Sequence, residues 1–136
     1  MCLRRRFYKS PEVSVSKGEK RRILYHPGKI CIKEFAFYYD GDNDTGTFDC
    51  VFELKIDGEL LLKETLNDIS RFWCVATSSP NASREFFRTG RSDTYKTLSF
   101  IIRNLGRVEE GIEVWFENVD TTNGANVRVA LVYDVD

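Results

Sequence analysis

The sequence is short of the residues on which most enzyme chemistry relies. Among 136 residues there is one histidine, His26, one methionine and three prolines. His26 lies in HPG, which reads as a turn, and nothing marks a nucleophile elbow or a phosphate-cradling glycine loop. Paired carboxylates could serve a glycosidase, but most acidic residues here fall at outward strand positions, where a solvated surface is the ordinary explanation. The four cysteines (Cys2, Cys31, Cys50, Cys74) form no CxxC pair or other metal spacing. They read as free thiols, mostly buried, although a Cys31–Cys50 bridge is conceivable if their strands are neighbours. No run approaches the roughly 20 apolar residues of a membrane helix. The beginning, MCLRRRFYKS, is basic and lacks the apolar stretch of a secretory signal. These absences point to a non-enzymatic protein without a membrane segment or a secretory leader.

What is present is a hydrophobic share of 42%, with 13% aromatic, enough to exclude disorder. A chain of this length forms one domain and buries roughly two thirds of its unfolded surface without staples. The net charge of −1 conceals an asymmetry. Residues 1–22 hold eight Lys or Arg against Glu12 and Glu19, whereas residues 23–136 hold 12 basic and 19 acidic residues. The chain thus divides into a basic arm, 1–22, and an acidic body, 23–136.

Alternation with period two dominates the body. TFDCVFELKIDG places Phe48, Cys50, Phe52, Leu54 and Ile56 on one face, with Asp49, Glu53 and Lys55 on the other. Asp57-Gly58 then predicts a hairpin, because such turns require positive φ, and ELLLKET is the return strand. Leu98, Phe100 and Ile102 face inward, as do Ile112, Val114 and Phe116, and then Val127, Val129, Leu131, Tyr133 and Val135. In KICIKEFAFYY the parity of Ile30 and Ile32 opposes that of Phe35, Phe37 and Tyr39, which predicts a bulge near Lys33-Glu34. Helix is confined to LNDISRFW, with Asn67 or Asp68 as N-cap. CVATSSPNASREFFRTGRSD reads as a long loop with room for a short strand around Glu85–Arg88. The fold class is therefore all-β, an antiparallel β-sandwich of jelly-roll type carrying a basic N-terminal arm.

Four features compete for a functional role. DGDNDTG aligns Asp40, Asp42 and Asp44 at alternate positions, as in an EF-hand loop. Thr45 stands where that loop needs glycine, and Val51 where it needs a bidentate glutamate. A polar turn is the favoured reading, and a calcium ion on the three aspartates is the alternative. The arm, with Arg4, Arg5 and Arg6, is read first as a contact across the acidic body of its own or a neighbouring subunit. Second comes a solvated tail, and third a nucleic-acid contact. Trp115 points away from the core between Glu113 and Glu117, and Tyr38 raises the same question. They suit a contact surface or a platform for sugar rings. Phe72, Trp73, Phe86 and Phe87 either plug one end of the sandwich or anchor an interface. The sequons at Asn43 and Asn81 carry no function, being as frequent as chance allows.

The arginine-bearing arm, the KIDGELL hairpin and the closing stretch EGIEVWFENVDTTNGANVRVALVYDVD together resemble a family group. They look like the small β-sandwich structural proteins of viruses and tailed phages, of the capsid-accessory, decoration, adaptor or fibre-head type. The resemblance spans Ile30 to Asp136 and is one of pattern, so no functional residue is carried over by position. It implies an accessory virion protein, made in the host cytoplasm, that forms a homo-oligomer and contacts other virion proteins. It implies no cofactor. A carbohydrate- or receptor-binding module is the alternative.

Overall fold

The computed structural model describes residues 3–41, 46–73, 81–83 and 87–135, with the backbone alone for 72, 73, 81–83, 87 and 88. Eleven strands form two antiparallel sheets in these residues. The larger holds β1 (Arg4–Lys9), β2 (Val13–Val15), β4 (Ile30–Asp40), β7 (Asn81–Ser83), β8 (Phe87–Ser92), β9 (Thr97–Val108) and β11 (Ala125–Val135). Their order is β1-β11-β4-β9-β8-β7, with β2 beside β11 as well. The smaller is β3 (Lys20–Pro27), β10 (Gly111–Glu117), β5 (Val51–Ile56) and β6 (Glu59–Thr65), in the order β3-β10-β5-β6. The protein is a β-sandwich.

The inward parities become the core between the sheets. Phe35, Phe37, Phe52, Leu54, Leu98, Phe100, Val114 and Phe116 are almost wholly buried. Phe52 of the smaller sheet sits edge-on to Phe37 and Phe100 of the larger, at centroid distances of 5.0 and 4.9 Å. Such aromatic pairs add about 0.5–1.5 kcal/mol each beyond the area they bury. Ile56, Tyr133 and Val135, at the ends of their runs, are only partly buried.

The bulge in β4 is present. Pairing with β9 skips from Ile32 to Glu34, and β11 shifts register between Val132 and Tyr133. One extra residue reverses the strand's phase, so Ile30 and Ile32 face inward on one side of it and Phe35, Phe37 and Tyr39 on the other.

The helical expectation is met in reduced form, as one turn α1 (Leu66–Asp68) followed by a π-helical turn at Ile69–Trp73. The cap is Thr65, whose Oγ1 accepts from the Asp68 amide at 3.1 Å, rather than Asn67 or Asp68. The stretch expected to be a long loop with a short strand around Glu85–Arg88 contains two strands, β7 and β8, paired with each other and, through β8, with β9. Cys31 and Cys50 are free: Cys31 takes the outward position between the buried Ile30 and Ile32, whereas Cys50 is buried in the core just before β5. The arm is not a separate unit: β1, β2 and the start of β3 are built into the sheets, and the boundary at residue 22 falls inside β3.

The β5–β6 hairpin turns on Asp57 and Gly58, both at positive φ (54° and 80°), which two-residue turns of this kind require. The Asp57 carboxylate also reaches the β9–β10 link. It accepts from the amides of Glu110 (2.7 Å), Glu109 (3.1 Å) and Gly111 (3.1 Å). Those amides, Glu110 foremost, hold its carboxyl below the ordinary value of 3.8. A lowered folded-state pKa contributes stability that is complete above the unfolded value and lost as pH falls through the folded one. Asp57→Asn, which still tolerates positive φ, is expected to lower the melting temperature near neutral pH. The gap to the parent protein should close as pH drops below 3.8. A gap that persists unchanged in acid would contradict this.

Candidate interaction surfaces

Each sheet turns one face to the core and one outward, and Trp115 and Arg5 lie on different outer faces. Trp115 is at the centre of the smaller sheet, half-buried, opposite Glu53 on β5 and Arg22 on β3. Its Nε1 donates to Glu113 Oε1. The ammonium groups of Lys20 and Lys55 lie 5.8 and 5.9 Å from its ring. Beside it Glu53, only 5% exposed, collects Lys20 at 3.3 Å and Lys63 and Lys55 at 3.6 Å. Burial pushes the Glu53 carboxyl up, the three ammonium groups together pull it further down, and the net shift is downward. This face gathers three lysines on one buried carboxylate beside a half-covered tryptophan.

The outer face of the larger sheet is built differently. Arg4, Arg5 and Arg6 lie along β1 at its edge. Arg5 forms a two-point bond with Asp134 on β11, Nε to Oδ1 at 2.9 Å and Nη2 to Oδ2 at 3.2 Å. This pairing raises the guanidinium pKa and lowers that of the carboxyl, through the hydrogen bond first and charge second. Arg5 thus pairs with an acidic residue of its own chain. Next along β1, Phe7 is 77% exposed. Further in, Ala130 of β11 pairs with Ala36 of β4, and Ala36 with Ile101 of β9. These small side chains leave a shallow depression of about 310 Å³, flanked by Lys9, Tyr38, Ser99 and Arg128. The Arg128 guanidinium stacks over Tyr38 at 4.4 Å.

The structure thus separates Arg4, Arg5 and Arg6 from Trp115, which belong to different sheets. Phe72 and Trp73 are on the π-helical turn and Phe87 is in β8 opposite Ile102. Their side chains lie outside what is described, as does Phe86 entirely. Of the proposed calcium ligands, Asp40 ends β4, while Asp42 and Asp44 lie outside the described residues. Among the described residues no three His, Cys, Asp or Glu side chains cluster as metal ligands would. Nor is any helix among them long and apolar enough to cross a membrane. His26 packs edge-on between Tyr8 and Tyr133, at 5.4 and 5.1 Å. Sequence reasoning missed the Asp134 and Glu53 hubs and the Ala36–Ala130 floor, since each is assembled from strands distant in the chain. The outward parity of Glu53 was the one signal available.

No protein-family model and no curated protein matches this chain. Solved structures of infectious bursal disease virus are similar to it at a low level. The Gt-strain structure is 11% identical over 96% of this chain and 42% of that chain, with a TM-score of 0.22. The virus-derived T=1 particle is 10% identical over 97% and 40%, at 0.23, and the T13 particle 13% identical over 98% and 40%, at 0.21. The chain spans about two fifths of the length of those chains. Likeness at this level carries no argument about role.

The Glu53 hub yields a direct test. Glu53→Gln leaves three lysines around an uncharged amide, and about 1–2 kcal/mol of stability should be lost. That is less than for a fully buried pair, because the lysines stay partly in water. Urea unfolding at low and high salt should show the loss shrinking as salt rises. Equal stability of the two proteins at low salt would contradict the assignment.

Proposed function

We infer that the chain is a non-enzymatic structural and assembly protein, an accessory component of a virion that associates into a symmetric assembly. The observation that carries this reading is the strand order. Setting aside β1 and the β7–β8 hairpin, the sheets run β2-β11-β4-β9 and β3-β10-β5-β6. Among these eight strands every link passes from one sheet to the other except the β5–β6 hairpin. We read that winding as a jelly roll, a plan used by viral capsid domains and by lectins. The support is an analogy of fold, and the residues add to it. Exposed large apolar side chains gather at outermost strands: Leu3 and Phe7 at the β1 edge, Leu60 and Leu61 on β6. Exposed apolar side chains on sheet edges are where association with another chain begins.

Because lectins share the plan, a carbohydrate-binding module is the second reading, with Trp115 as its contact. Light scattering on the full chain distinguishes the two. Assembly requires one discrete oligomer, and Leu61→Glu should shift it toward monomer without lowering the melting temperature. A monomer at every concentration, with glycan binding that Trp115→Ala weakens, would replace the first reading by the second. Removing residues 1–22 is a poor test, because it strips β1 and β2 from the sheet.

A further inference from the structure

We propose that the outer face of the larger sheet binds single-stranded nucleic acid. This goes beyond the assembly reading and does not depend on it. The basis is a juxtaposition created by the fold. By adding to β11, β1 sets Arg5, Phe7 and Lys9 on the same face as Arg128, Tyr38 and Arg103, which come from strands about 30 to 120 residues away in the chain.

Charge points to a polyanion. Outward positions on β1, β11, β4 and β9 present Arg5, Lys9, Arg103 and Arg128. The acidic residues among them are Asp134, Glu34 and, at the end of β4, Asp40. Asp134 is already engaged by Arg5, with Lys33 at 4.0 Å, and Arg128 lies 4.0 Å from Glu12. Among the described residues Lys9 and Arg103 have no ion-pair partner. The smaller sheet is the contrast, since Lys20, Lys55 and Lys63 there all converge on Glu53. The larger sheet instead leaves Lys9 and Arg103 unpaired beside an apolar floor.

The aromatic geometry narrows the polyanion to one with stackable rings. Phe7 is 77% exposed. Tyr38 and the Arg128 guanidinium stacked on it border the depression floored by Ala36 and Ala130. Small floor residues let a planar ring approach the sheet, while phosphates would meet Lys9 and Arg103. Cationic tracks with aromatic or guanidinium platforms are how sequence-tolerant single-strand binders work. An acidic protein segment would satisfy the cations but leave the stacking positions unused.

The test is fluorescence anisotropy of a labelled oligothymidylate with the full-length protein. Neutralising two phosphates, at Lys9 and Arg103, implies binding that weakens about sevenfold between roughly 50 and 200 mM salt. Phe7→Ala and Tyr38→Ala should each weaken it about fivefold or more. Arg103→Glu, at an exposed position, should weaken it without unfolding the protein, and Lys63→Ala on the opposite sheet should leave it unchanged. No binding at low salt would overturn the proposal. So would equal losses from Lys63→Ala and Arg103→Glu. Polyglutamate competing as well as unlabelled oligonucleotide would overturn it in favour of an acidic protein partner.

Discussion

The sandwich depends on one constraint: β4 and β11, the two eleven-residue strands of the larger sheet, must keep a single apolar face against the smaller sheet along their length. Strict alternation cannot do this for β4, whose apolar residues change parity midway. The bulge at Lys33 resolves the conflict by resetting the phase, and β11 shifts register beside it. Phe35 and Phe37 can then meet Phe52 and Phe116 across the core, with Ile30 and Ile32 buried in the same layer. Without the bulge, one of these two apolar groups would face water, at about 1.5–3 kcal/mol per large side chain.

The outer faces follow from the same arithmetic. Every residue that alternates with the core must point outward, so the chemistry of each face is set by what sits between the buried positions. On the smaller sheet that pattern brings three lysines around Glu53 and covers part of Trp115. On the larger sheet it lines up Ala36 and Ala130, with Tyr38 and Arg128 in the neighbouring row. One face gathers its lysines on a single carboxylate, and the other sets Lys9 and Arg103 beside an apolar floor.

Class, core and hairpin were legible in the sequence because each is local. Alternation in β5, β9, β10 and β11, the parity change in β4 and the turn chemistry of Asp57-Gly58 need no knowledge of partners. The N-terminal segment was harder. RRRFYK has charge without clean alternation, and it reads as strand only because β11 offers an edge and Asp134 a partner for Arg5. β7 and β8 were obscured for a similar reason, since β8 takes its order from β9 rather than from its own polar sequence. The surface features depend on register across three or four strands, which no single segment encodes.

The placement of the N-terminal segment as β1, paired Arg5 to Asp134 and Tyr8 to Leu131, is the claim on which the larger outer face rests. Amide hydrogen exchange resolved to single residues tests it most directly. Alternate amides between Arg4 and Lys9 should be protected, with the Ser10 amide, bonded to the Val129 carbonyl at 2.8 Å, among the slow ones. Uniform exchange at unfolded-chain rates from Arg4 to Ser10 would show a free tail, and would remove Arg5, Phe7 and Lys9 from the face described above.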